Sequence, residues 1–183
     1  MASTTSKIVT YEEWLQMPET EGKEEVIDGE IIKMPTPTWN HQEIVAELHA
    51  ILFSQFDRKI VRVVTSVFGL VIRREPLTVR TPDLAVFVRR NIVEIDGNIF
   101  SPPELAVEVL SPSNTRKQML RKTEDYESIG VSELWILSGE ARNIEILQLQ
   151  DGKLRTIEIV NSGQLRPLRF PETVVDVASV WPD

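Results

Sequence analysis

The chain has 183 residues, a length for one domain (1–183) at roughly 100–200 residues per domain. With 42% hydrophobic and 26% charged residues, it has the composition of a folded protein rather than a disordered one. The absence of cysteine excludes disulfides, thiolate metal centres and cysteine nucleophiles, and two histidines leave little for a histidine-rich metal site. The net charge of −8 is unevenly spread: residues 1–39 hold eight acids against three lysines, whereas 58–90 hold eight basic residues against Glu75 and Asp83. Such a basic stretch either solvates outer strand faces, through Arg62, Arg73 and Arg74, or faces a phosphate backbone. No apolar run nears the roughly 18–20 residues needed to span a bilayer, and the first nine residues lack a leader pattern, so a cytoplasmic protein without membrane contact is expected.

Thr10 caps a short helix whose apolar side is Tyr11, Trp14 and Leu15, and Pro18 ends it. Glu24–Lys33 reads as a hairpin around Asp28-Gly29. Pro35 and Pro37 lead, in extended chain, to the clearest helix, capped by Asn40 with Glu43 three residues later. Its stripe of Ile44, Val45, Leu48, Ile51, Leu52 and Phe56 predicts about 17 residues. Strand-like runs follow at Ile60–Thr65, Phe68–Arg73, Leu84–Val88 and Leu105–Leu110. The last two are apolar on both parities, as in strands covered on both faces. Ser111-Pro112 opens a second long helix that stops at Gly130. Leu134–Leu137 is a strand, and Ile144–Leu149 with Leu154–Val160 forms a terminal hairpin across Asp151-Gly152. The order predicts a mixed α/β domain. No glycine cluster fits a phosphate-cradling loop.

Glu108 lies between valines in a strand expected to be buried, where a carboxylate without a partner costs several kcal/mol. Asp83 enters the preceding central strand after Pro82. The midpoint between these acids falls beside the Asp96-Gly97-Asn98 turn, so antiparallel pairing across it sets the two carboxylates opposite each other. Paired hard oxygens suit magnesium or manganese. The alternative is structural: Asp83 caps a turn and Glu108 pairs with Arg62 or Arg73. On the following helix a stripe of Met119, Leu120, Thr123 and Tyr126 puts Lys117 and Arg121 in solvent and Lys122 at its edge, as it does Arg116. Lys122 then either orients an attacking water and offsets phosphate charge or snorkels over Tyr126. Glu25 reads equally as a turn charge, and His41 as a surface or capping residue.

Four ordered blocks carry a resemblance. Glu25-Val26-Ile27-Asp28-Gly29-Glu30-Ile31 with Pro35 through His41, then Pro82-Asp83-Leu84-Ala85-Val86-Phe87, then Pro103 through Ser113, and finally Lys122, Tyr126 and Gly130 through Trp135 resemble the Uma-two family of restriction endonucleases. The similarity spans about residues 10–170. That family sits in the PD-(D/E)XK nuclease superfamily, which implies a restriction-endonuclease-like α/β fold. Its core is αβββαβ, a mixed central sheet flanked by helices, here with N- and C-terminal hairpin additions. The resemblance makes Asp83 and Glu108 the two motif acids and puts Leu110 where the superfamily lysine stands, with Lys122 in its place. Glu25 matches a further catalytic or metal-binding acid. Ser138-Gly139 stands where the family often has an aspartate–proline pair. The activity implied is hydrolysis of phosphodiesters, most naturally in DNA, with Mg2+ or Mn2+ on Asp83, Glu108 and the Val109 carbonyl, in a possible homodimer. A catalytically inactive binding or assembly module is the other reading, favoured by the acidic total and the missing strand lysine.

Overall fold

The computed structural model describes residues 8–18, 22–65, 68–112 and 114–182. Helix α1 (Tyr11–Leu15) starts from a capping box between Thr10 and Glu13. Strands β1 (Glu24–Ile27) and β2 (Glu30–Lys33) form the expected hairpin, with Asp28 and Gly29 both at positive φ as a tight two-residue turn demands. Helix α2 (Trp39–Gln55) has the expected 17 residues, but its cap is Thr38 rather than Asn40. The threonine side chain accepts from the His41 N–H, so the helix begins one residue before Asn40.

Then come β3 (Val61–Thr65), β4 (Leu70–Arg74), β5 (Leu77–Arg80) and β6 (Leu84–Val88). After a 3-10 turn at Arg89–Asn91 follow β7 (Glu94–Ile95), β8 (Asn98–Ile99) and β9 (Leu105–Val109). Helix α3 (Arg116–Ser128), β10 (Glu133–Ser138), β11 (Asn143–Gln150) and β12 (Lys153–Val160) complete the main body, and the short pair β13 (Gln164–Leu165) and β14 (Val175–Asp176) closes it. The central sheet has the order β12-β11-β10-β9-β6-β3, with only β9 and β10 parallel. In chain order α2, β3, β6, β9, α3 and β10 give the expected αβββαβ core. The run Phe68–Arg73, however, lies outside it. β4 joins a second sheet, β2-β1-β5-β4-β8-β7, which takes up the N-terminal hairpin and every strand inserted between β3 and β9 except β6.

Strand parity sorts the core. Leu84, Val86, Leu105, Val107 and Val109 pack with Ile44, Leu48 and Leu52 of α2. Ala106 packs on the opposite face with Tyr126 of α3. Residues on the even positions of β9, Glu108 included, therefore face α3.

Two expectations for α3 are corrected. Its cap is Thr115, in a capping box with Gln118, while Ser111 and Asn114 close a turn before it. Its covered face is Lys122, Asp125 and Tyr126, and Leu120 is 59% exposed. It ends where expected, at Gly130 with positive φ.

Candidate active site

Strands β6 and β9 pair antiparallel through Leu84 with Val107, Ala85 with Ala106 and Val86 with Leu105. Continued by one residue, that register sets Asp83 against Glu108, on one face of the sheet. The Asp96-Gly97-Asn98 turn sits between them in the chain as expected, but it closes β7 onto β8 in the other sheet instead of joining β6 to β9 directly. Both acids line a cleft of about 260 Å³, together with Lys23, His41, Val109 and Lys122.

Every carboxylate oxygen of the pair has a partner. Asp83 Oδ1 lies 2.7 Å from Lys23 Nζ and 3.4 Å from His41 Nε2, and Oδ2 accepts from the Val109 N–H at 2.9 Å. Glu108 Oε2 accepts from Lys122 Nζ at 2.8 Å, and Oε1 from the Tyr126 hydroxyl. The structural alternative of an arginine partner for Glu108, Arg62 or Arg73, is replaced by Lys122. Arg73 binds Asp28 instead, and so does Arg121, whose side chain remains 41% exposed, as expected of the outer side of the helix. His41 is no surface residue: it is buried at 8% exposure against Asp83.

Glu25 is buried beside the pair rather than in the wall of the cleft. Its Oε1 takes Lys122 Nζ at 3.1 Å and the Thr81 N–H at 3.3 Å, and its Oε2 takes Arg80 Nη1 at 2.7 Å. Arg80 in turn donates Nε and Nη2 to Asp125 Oδ2 at 2.8 and 2.6 Å. Arg80, Asp125 and Lys23 escaped the sequence reading. The basic stretch that contains Arg80 is dispersed: Arg74 lies over the rings of Tyr11 and Phe100, Arg58 over Phe53, and Arg89 and Arg90 are exposed at the end of β6 away from Asp83.

Burial pushes the Asp83 carboxyl up, but the His41 hydrogen bond and the charges of Lys23, His41 and Lys122 outweigh it and hold the group well below the usual carboxylate range. Glu108 goes the other way. Its burial, with Asp83 and Glu25 nearby, exceeds the relief from Lys122 and Lys23, and its proton affinity is raised. Burial would strip the proton from Lys122, yet Glu108, Glu25 and Asp83 together bind it more firmly than usual. Glu25 is desolvated too, but Lys122 and Arg80 keep it ionised and low.

Among the described residues, no three His, Asp or Glu side chains converge into a ready metal cage. The donor chemistry nevertheless fits a hard divalent cation. Two carboxylates and the Val109 backbone border an open cleft, and magnesium characteristically takes one or two carboxylates and keeps several waters. Four buried carboxylates (Glu25, Asp83, Glu108, Asp125) face the cations of Lys23, Arg80 and Lys122, with Arg73 a further cation 3.8 Å from Asp125.

Two acids on adjacent strands of a mixed sheet, with a lysine returned by the following helix, describe a protein of nuclease-like α/β fold. A crystal structure described as that of "a putative nuclease belonging to DUF820", from Anabaena variabilis ATCC 29413, matches with a TM-score of 0.77 at 22% identity, over 94% of this chain and 97% of that one. The chain belongs to the Uma2 family, whose model, described as "Putative restriction endonuclease", matches residues 11–178. No curated protein matches it. Among the described residues, no helix is long and apolar enough to cross a membrane.

Proposed function

We propose that this protein is a metal-dependent endonuclease that hydrolyses phosphodiester bonds in DNA. The observation that carries the reading is the convergence of Asp83, Glu108 and Lys122 on one solvent-open cleft. Mg2+ or Mn2+ would be held by Asp83, Glu108 and the Val109 carbonyl. When bound, such a cation supplies Lewis acidity toward water and toward the charge that builds on the phosphate.

The chain's own residues do the rest. Asp83 stays ionised across the physiological range, because His41, Lys23 and Lys122 outweigh its burial. Tyr126 and Lys122 fix the orientation of Glu108 through its two oxygens. The Lys122 ammonium, braced between Glu108 and Glu25, directs an attacking water and gives hydrogen bonds to the phosphate as its charge grows. Glu25 is then a lysine-orienting acid rather than a cation ligand, since its two oxygens serve Lys122, Arg80 and the Thr81 N–H. A homodimer would deliver two such sites to a duplex.

Plasmid nicking with Mg2+ or Mn2+ tests the reading. Asp83→Asn should abolish cutting and Lys122→Met should slow it by about 10²-fold or more in samples that circular dichroism shows to be folded. Cutting at the parental rate by either variant sinks it.

One observation favours the second reading, a binding module without turnover: protein donors already satisfy all four oxygens of Asp83 and Glu108. Calorimetry separates the two, because such a module shows no Mn2+ binding that depends on both acids.

A further inference from the structure

Lys23 is anchored by its backbone and reaches Asp83 with the end of a long side chain. It immediately precedes β1, and its carbonyl accepts from the Met34 N–H at 2.9 Å, which closes the base of the β1–β2 hairpin. From this anchored backbone the side chain, 15% exposed, enters the cleft and sets its ammonium 2.7 Å from Asp83 Oδ1. Val109 occupies the other oxygen of Asp83, so Oδ1, which also has His41 Nε2 at 3.4 Å, is the one through which that acid would hold a cation.

The two lysines of the cleft differ in how tightly they are kept. Lys122 is 9% exposed and held by two carboxylates, Glu108 and Glu25. Among the described residues Lys23 pairs with one carboxylate only, and it is the more exposed of the two. A divalent cation sits about 2.1 Å from its carboxylate oxygens. On Asp83 Oδ1 it would lie within about 5 Å of the Lys23 ammonium, a distance at which like charges repel. The two cannot share that oxygen at full strength.

We propose that Lys23 is an exchangeable internal cation: it neutralises Asp83 until a divalent metal enters, and the displaced ammonium then binds a non-bridging oxygen of the nucleic-acid phosphate. The inference rests on the metal-dependent reading above and adds a coupling to it. Metal releases the lysine to the phosphate, and the phosphate, by holding the lysine away, uncovers Asp83 for metal. Linkage requires the two effects to be equal in size. Lys23 is here a substrate-binding and metal-regulating residue, separate from the water-directing role given to Lys122.

The experiment is Mn2+ titration by calorimetry of the full chain and of Lys23→Met, Lys23→Arg and Asp83→Asn. Lys23→Met should bind Mn2+ more tightly by about fivefold or more, the lower end of ordinary coupling between sites. Lys23→Arg keeps a cation on Asp83 and should show no such gain. Asp83→Asn should lose binding. In a second arm, anisotropy of a labelled DNA duplex is measured with Ca2+ added in place of a catalytic metal. Ca2+ should strengthen duplex binding more for the parent than for Lys23→Met. If Lys23→Met binds Mn2+ no tighter than the parent while Asp83→Asn loses binding, the exchange is overturned and the metal site stands. If Asp83→Asn binds Mn2+ as the parent does, the metal site falls and the exchange with it. Should Lys23→Met fail to fold, Lys23→Gln, a neutral polar side chain, takes its place with the same expected gain.

Discussion

Lys122 and Glu108 meet at 2.8 Å although one lies on α3 and the other on β9. The same ammonium reaches Glu25 on β1 at 3.1 Å, so a single side chain ties a helix to strands of two different sheets. Lys122→Met should therefore do two things. Cutting should fall by about 10²–10³-fold, the usual worth of one donor aimed at developing charge. Stability should fall as well, because two buried carboxylates are left facing each other. Adding Glu25→Gln removes that repulsion. The double variant should regain much of the urea midpoint but none of the nicking rate.

Asp83 and Glu108 should give opposite dependences of stability on pH. A carboxyl held below its ordinary value binds fewer protons folded than unfolded. Asp83 thus contributes stability that is fully present above its unfolded value of 3.8 and lost as pH falls below it. Glu108, held above its ordinary 4.5, carries a cost that appears as pH rises past that value. Urea unfolding from pH 3 to pH 7 checks both. Asp83→Asn should be less stable than the parent at neutral pH, with a gap that narrows below pH 3.8. Glu108→Gln should gain on the parent as pH climbs above 4.5. Gaps that do not change with pH would remove both assignments.

Arg80 is 3% exposed and bound to two buried acids, Glu25 and Asp125. Replacing it with methionine leaves Glu25 with the Lys122 cation alone and Asp125 with only the more distant Arg73, 3.8 Å away. The expected loss is about 3–5 kcal/mol, read from chemical denaturation. A loss under about 1 kcal/mol, typical of an exposed pair, would mean that solvent already screens the network.

Tyr126→Phe isolates one hydrogen bond. The ring, wholly buried, stays in place, and only the hydroxyl on Glu108 is lost. Because the acceptor is a carboxylate, the expected cost is about 1.5–3 kcal/mol. Cutting should slow without vanishing, since Lys122 still holds the other oxygen of Glu108.

Much of this arrangement was legible in the sequence. An acid inside an apolar strand and a second at the mouth of another pointed to Asp83 opposite Glu108, although the turn midway between them belongs to the other sheet and does not join their strands. The helix after Glu108 offered Lys122. Hydrophobic periodicity failed where burial is ionic. The covered face of α3 is Lys122, Asp125 and Tyr126, and a search for apolar spacing turned it toward Leu120 instead. Arg80 was hidden for the same reason: it ends a four-residue strand behind Pro76, within a stretch whose charge suggested solvent. His41 gave no signal of its own, because a lone histidine in the first turn of a helix becomes a site residue only through the long-range packing of α2 on the sheet. Lys23 likewise owes its place to an ion pair with a residue 60 positions away.

A helix can peel while a sheet holds. Glu108 stands on β9 and Asp83 at the mouth of its hydrogen-bonded neighbour β6, whereas the ammonium arrives on α3, 13 residues long and covering the sheet with one mostly ionic face. Partial opening of that helix would leave the carboxylates aligned and without their ammonium. On heating, turnover would then fade before the sheet's spectroscopic signal does, so that the temperature of inactivation lies below the temperature of melting.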